Sequence, residues 1–490
     1  MPALLVSLAL ALISAVLCFN SRPGLNWPLF VIPAAIGLYL FTKHSRPEAA
    51  RTMLAPLALA ILLSTAAAIT ASDFNHALIF LSNVVLLTTA TRLAAGAPLS
   101  RAGAAFIAAS PPVAAFQAAR ESWSRLSASA HSDDTRRSLP ILRGLLLALP
   151  IVIVLWLLLA NADPHLDRWA TAIREAIATL EFVPRLLFGI ASFVLLFGAY
   201  TLASRPAEPV AEHHSEHYPV SFAPTERTIV LAAVATLFAL FVALQITAYL
   251  GDPAALAGSG ITYAEWARRG FGELATAAAL VTLLIVVLDR FAARGEARAE
   301  HRVRRAALVL VALTALITLS ALRRVALYEA AYGYTTARIE AQFFMVGVGI
   351  ALALLALELR VTLDPRRLAR RTALAAAALI TLFVHWNHDA FIVRRNVQQF
   401  AGTDKLDVRY LTLLLSPDAL PALVAARGSL GPRQDSLLSS CLARRLENGR
   451  DHDLLPGRWF ELNTRRSDAI AALHAAKPLG DPAGCGYTRD

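Results

Sequence analysis

VRRAALVLVALTALITLSAL (Val303–Leu322) and AQFFMVGVGIALALLALELRVT (Ala341–Thr362) are near-continuous apolar runs on either side of RRVALYEAAYGYTTARIE (Arg323–Glu340). A helix rises about 1.5 Å per residue and the hydrocarbon core of a bilayer is about 30 Å thick, so each run is long enough to cross it. The segment between them is crowded with arginine, glutamate and tyrosine, residue types that gather where a span leaves the membrane. This alternation of apolar run and charged connector decides the fold class.

The pattern repeats along the chain. Further apolar runs fall at 3–19, 27–42, 53–71, 74–94, 141–160, 183–203, 226–250, 271–289 and 368–386. With the two above, this predicts an all-α polytopic membrane protein of about eleven transmembrane helices. Met1–Phe19 lacks a basic leader and a small-residue cleavage site, so it reads as a span and not as a secretory signal. The chain has 490 residues, 57% hydrophobic and 17% charged, with a mean hydropathy of +0.54, which calls for lipid as solvent.

The net charge of +11 would raise nucleic acid as a partner in a soluble domain, but its distribution points to the bilayer instead. With the amino terminus in the cytoplasm, 23 basic residues fall in inside loops, against nine arginines in outside loops. The inside set includes Lys43, Arg46, Arg51, Arg298, Arg302, Arg304 and Arg305. That asymmetry is the positive-inside rule; it predicts a multi-pass protein of the bacterial inner membrane with a cytoplasmic N-terminus. An odd number of spans then places the C-terminal region outside the cytoplasm.

Residues 1–386 read as a transmembrane bundle and 387–490 as a small helical extramembrane region packed on it. Ser416-Pro417-Asp418 has the form of a helix start, with Ser416 as cap and Pro417 at the first position. Cys441 and Cys485 would meet an oxidising compartment, where a disulfide between them is chemically permitted; two unpaired thiols are the alternative. Two stretches have amphipathic spacing outside the spans: Leu166, Trp169, Ile173, Ile177 and Leu180, and Val113, Phe116, Trp123 and Leu126.

Chemistry inside the spans is sparse. Asn83, Thr88, Thr89 and Gln245 are among the few polar side chains, and Asp289 and Glu358 fall near helix ends, so the mid-depth carboxylate of an ion-coupled transporter is missing. His213, Glu216, His214 and His217 sit in a proline-bracketed loop that reads as solvated and not as a metal site. No phosphate loop, CxxC or nucleophile elbow is present, so the chain reads as non-enzymatic, with no cofactor and no metal.

Three polar clusters share the outer face under this topology: Tyr263, Glu265, Arg268 and Arg269; Tyr328, Glu329, Tyr332 and Arg338; and Asn387, Asp389, Arg394 and Asn396. Together with Arg323, Arg324 and Arg395 they hold seven arginines where the positive-inside rule would thin them out. One reading is structural, an ion-paired network with Glu265, Glu273, Glu329, Glu340 and Asp389 that seals helix ends. The other is recognition of an anion, since guanidinium forks suit phosphate and carboxylate.

YAEWARRGFGEL (Tyr263–Leu274), ALYEAAYGYTTARI (Ala326–Ile339) and NHDAFIVRRNV (Asn387–Val397) resemble a bacterial polytopic membrane family, the domain of unknown function four-one-seven-three, related to four-one-five-three. The likeness continues from Lys405 through SPDALPAL and, more weakly, in WFELNTRR (Trp459–Arg466). It is clearest from about residue 253 onward and implies an inner-membrane helical protein without an established activity. Function is therefore expected to be that of an envelope component that binds, signals or regulates, its partners the lipid bilayer and an anionic lipid or envelope protein. The alternative is a membrane enzyme or carrier acting on a lipid-linked anion, with Arg268, Arg269, Arg338 and Arg394 as its clamp. Secondary transport is a third class.

Overall fold

The computed structural model describes residues 2–97, 104–129, 182–206, 221–250, 271–293, 296–361, 363–403, 405–448, 454, 457–476 and 478–486. Among these residues the regular elements are all helices, with one isolated β-bridge between Phe222 and Ala292. The bundle comprises α1 (Pro2–Leu17), α2 (Asn26–Ser45), α3 (Pro47–Thr52), α4 (Leu54–Ala66), α5 (Asp73–Ala94), α6 (Ala104–Ala108) and α7 (Ser110–Ser129). It continues through α8 (Phe182–Ala203), α9 (Pro224–Leu250), α10 (Phe271–Arg290), α11 (Ala297–Tyr332), α12 (Thr336–Arg360) and α13 (Pro365–His385). A cap follows, built from α14 (His388–Phe400), α15 (Leu420–Ala426), α16 (Pro432–Asn448) and α17 (Thr464–Ala475), with short helical turns between them.

Six helices among the described residues are long and apolar enough to cross a membrane, within α5, α8, α9, α11, α12 and α13. Ten of the predicted runs fall on described helices; 141–160 lies outside the described residues, as does the amphipathic stretch from Leu166 to Leu180. Leucines on the bundle's outer surface stay exposed, among them Leu12, Leu81, Leu240 and Leu382, as a helix facing lipid requires.

α11 fixes the depth of the bundle. Its 36 residues span about 54 Å, well over the ~30 Å hydrocarbon core, so it projects at its ends. The pairs Arg304-Arg305 and Arg323-Arg324 stand about 28 Å apart along it, which suits one pair at each membrane boundary. Gly333 then ends the helix with φ of +80°, a left-handed value that a side chain would strain.

Helix starts are locally encoded. Asp364 accepts from the backbone N–H groups of Arg366 and Arg367 ahead of Pro365 at the first position of α13. Those bonds hold the Asp364 carboxyl below its usual range. Asn387 caps α14 through Ala390 and Asn463 caps α17 through Arg466. At Ser416 the expected cap forms, but it opens a short 3-10 turn, Pro417–Ala419, before α15.

The amphipathic stretch from Val113 to Leu126 lies in α7, which packs lengthwise along α8: a Cβ at Gly198 would lie 1.9 Å from the Ala118 carbonyl oxygen, and Ser122 Oγ donates to the Val194 carbonyl at 2.5 Å. Glycine at 198 is what permits that approach, and the small Ala118 faces it.

The cap and the bundle share one core. Ile392, Val393, Leu411, Leu420, Leu423, Leu442 and Leu473 cluster with Ile339 of α12 and Phe383 of α13. Each such leucine, fully buried, contributes roughly 1.5–3 kcal/mol. A disulfide joins Cys441 of α16 to Cys485 near the C-terminus. Cys18 remains a free thiol.

Candidate functional site

Among the described residues, four loops of the bundle emerge at the end that the cap covers: 18–25, 67–72, 333–335 and 386–387. The loop 67–72 has the hardest task, because α4 stops at Ala66 and leaves backbone polar groups buried, which need partners. The cap supplies them. Asn463 Nδ2 donates to the carbonyls of Ala67 (3.0 Å) and Thr70 (2.5 Å), and the N–H of Thr464 donates to Ala68 at 2.9 Å.

Asp418 completes this junction. One carboxylate oxygen accepts from the Ala71 N–H at 2.8 Å; the other accepts from Thr70 Oγ1 at 2.9 Å and from Arg465 at 3.0 Å. Arg465 also donates to the His385 carbonyl at 2.6 Å, tying the C-terminus of α13 to the same point. Asn387 Nδ2 donates to the Asp418 carbonyl at 3.0 Å. Asp418 is thus a buried charge with a complete set of donors, the condition under which burying a carboxylate is tolerable.

Of the residues singled out by sequence, Tyr263, Glu265, Arg268 and Arg269 lie outside the described residues. The other two clusters are brought together at the cap end. Asn396 holds the Gly333 turn, accepting from the Tyr334 N–H at 2.7 Å and donating to its carbonyl at 2.8 Å. Arg338 folds back, donating to the Gly333 carbonyl with its guanidinium 4.1 Å from the Tyr328 ring, which in turn packs on Tyr332.

The buried carboxylates use neutral donors. Glu329 accepts from Gln342 at 2.7 Å, and Asp389 accepts from the hydroxyl and the N–H of Ser416. Each of these two carboxylates is thus held by an amide, hydroxyl or backbone donor. Beside Asp389, His388 is buried against Phe383 with its Nε2 3.5 Å from the Asp389 carboxylate. Burial pushes its imidazole below the ordinary value, outweighing the opposing pull of Asp389. Burial likewise pushes up the Tyr410 phenol, which accepts from the Thr336 N–H at 2.9 Å.

A cleft of about 530 Å³ opens next to this junction, lined by Asn387, Ala390, Arg394, Asp418, Pro421, Ala422, Ala425, Arg465 and Asp468. Arg394 is exposed there, whereas Arg338 is committed to the Gly333 turn. Arg465 and Asp418 pair with each other there, which leaves the Arg394 guanidinium and the Asp468 carboxylate to address a headgroup-sized polar molecule.

The opposite end is closed by ion pairs that sequence reasoning passed over. Glu358, buried, takes both Arg367 and Arg371 of α13; Arg227 meets Glu300; and Glu121 of α7 meets Arg125 and Arg205. A smaller cavity of about 300 Å³ lies there between Arg227, Asp289, Glu300 and Arg304. Within the helices, Asn83, Thr88, Thr314 and Thr318 bond to carbonyls of their own preceding turn.

The profile of a domain of unknown function, DUF4153, matches residues 57–426. The chain belongs to the DUF4153 family. The match reaches from α4 to the end of α15, well upstream of residue 253, where the sequence likeness is plainest to the eye. It ends before α16 and α17, so it holds Asp418, Thr70 and the Asn396 latch, while Asn463, Arg465 and the disulfide fall beyond it. No curated protein and no solved structure matches the chain.

The signal that could have found the junction was present in part. SPDALPAL was legible as a motif, but nothing in local spacing tells a carboxylate at 418 that its donors sit at 70, 71 and 465.

Proposed function

We propose that this DUF4153 membrane protein resides in the bacterial inner membrane with its N-terminus in the cytoplasm and its cap on the outer side. There it works as a non-enzymatic binding or regulatory component of the envelope. The observation that carries the reading is the cap itself: it covers the bundle loops at one end, shares their core and contains a disulfide. Disulfides persist in the oxidising envelope and are rare in the cytosol. The basic residues Lys43, Arg46, Arg51, Arg92 and Arg298 belong to the opposite end, as a cytoplasmic face would have them.

The cleft beside Asp418 is the place where a partner would be received. A photo-crosslinking residue at Ala425, in cells, is expected to give a discrete adduct with an envelope protein or lipid, weakened by Arg394→Glu. Equal adduct yield with and without Arg394→Glu, or none from any cap position, would set this reading aside.

A second reading rests on Arg394 in the same cleft, whose guanidinium group suits the phosphate of a lipid-linked anion. Native mass spectrometry of gently purified protein distinguishes the two: a retained phosphate-bearing lipid lost in Arg394→Ala supports the enzyme or carrier.

A further inference from the structure

The turn Trp459–Glu461, on the cap, lies against the loop that joins α1 to α2. The N–H of Leu25 donates to the Leu462 carbonyl at 3.0 Å, and a Cβ on Gly24 would come within 2.7 Å of the backbone of Glu461 and Leu462. Arg22 pairs with Glu461 at 3.5 Å. The turn is therefore fixed to the bundle at a known depth. Along α2, Leu25 stands about 27 Å from Lys43, close to the ~30 Å of the hydrocarbon core, so Leu25 and Leu462 fall at the membrane boundary.

At that depth the turn exposes side chains that do not suit water. Trp459 is 70% exposed and Leu462 53%, although Phe460 and Glu461 between them are buried. The exposed start of α8 lies against the same connector: its Phe188 packs on Phe19 at 5.8 Å, Arg185 lies 5.7 Å from the same ring, and Phe182 is 70% exposed. Arg458 is exposed beside Trp459, and its guanidinium is held 5.7 Å from the Phe460 ring. An apolar rim with indole and guanidinium groups at a membrane boundary has the composition of an interfacial anchor: the ring enters the headgroup–acyl boundary and the cation meets phosphate.

We infer that the turn is a membrane-docking edge of the cap, in which Trp459 and Leu462 insert into the phospholipid headgroup layer and Arg458 sits among the phosphates. The cap is then held by the bundle at Asp418 and Asn463 and by lipid along this edge. The occupant is the bilayer, because the turn is bonded to the connector of two helices whose leucines face lipid. A membrane surface is continuous with that face.

The test uses full-length protein in phospholipid nanodiscs, comparing wild type with Trp459→Phe in lipids brominated near the top of the acyl chain. The difference between the two emission spectra isolates Trp459. It is expected to be strongly quenched by bromolipid and protected from aqueous iodide. Leu462→Asp is expected to reduce the bromolipid quenching while far-UV circular dichroism stays that of wild type. Quenching of the Trp459 signal by iodide and not by bromolipid would overturn the inference, and protection from both quenchers would overturn it in favour of a protein–protein interface.

Discussion

Thr70 and Asp418, 348 residues apart in sequence, meet through a hydrogen bond of 2.9 Å in the buried junction between α4 and the cap. The same carboxylate also holds Ala71 and Arg465, so three segments of the chain depend on one side chain.

Asp418→Ala removes the acceptor and leaves the Arg465 guanidinium and the Ala71 N–H without it. Breaking a buried pair from one side costs about 3–5 kcal/mol. Thermal unfolding in detergent should show a fall of several degrees, and limited proteolysis should release fragments from the 427–490 region first. A melting temperature within a degree of wild type would show that the junction contributes little.

Gly333→Ala should be strained twice over. The φ of +80° disfavours any side chain, and the new Cβ would lie 2.4 Å from Asn396 Oδ1. The expected cost is above about 1 kcal/mol, and Asn396→Ala should relieve part of it, so that the double variant is more stable than the sum of the single changes predicts.

The clasp at the opposite end makes a separate forecast. Glu358→Gln keeps the shape but loses the charge that Arg367 and Arg371 share, with distances of 2.6 and 2.7 Å. Charge-assisted bonds are shorter and stronger than neutral ones, so the α12–α13 hairpin should exchange its amides faster while the cap is unaffected. Faster exchange at 464–475 as well would mean that the two ends are coupled.

Stability should fall in mild acid. Because the folded protein holds the His388 imidazole below its ordinary value, the unfolded chain takes up a proton first as the pH drops through the ordinary imidazole value of 6.5. The stabilisation from neutral His388 is thus present above that pH and is lost below it, by at most about 1.4 kcal/mol per pH unit for one proton. Asp389, Asp418 and Arg465 face the same ring. His388→Phe, which cannot titrate, should flatten melting temperature against pH between 6.5 and 5; an unchanged slope would assign the acid sensitivity to another group.

The membrane fold was readable because lipid imposes it locally: twenty apolar residues in a row have few other fates, and Gly333 marked where the long helix ends. The cap was readable as helices from the Ser416-Pro417 start. What local reading could not supply was the partner of each charge. Arg338 carried the signal of an anion ligand and turns out to be held by the Gly333 carbonyl and the Tyr328 ring. Asn396 looked like a binding amide and is the latch of a turn. Asp418 belonged to a helix-start motif and Asn463 to the WFELNTRR likeness, and both hold the cap to α4. Helix periodicity reports which face is apolar; it contains no information on which distant loop needs a donor.

The most direct test of a cap on the outer side of the membrane is labelling of a single cysteine placed at Ser467, an exposed position of α17, in intact cells. Cys18 would be replaced by alanine and the Cys441–Cys485 pair left in place. A membrane-impermeant maleimide that passes the outer membrane but not the inner one should label Ser467→Cys without permeabilisation, and should reach Arg298→Cys at the opposite end, in the first turn of α11, only after it. Labelling at 467 that requires a permeabilised inner membrane, with 298 reached from outside, would contradict the account.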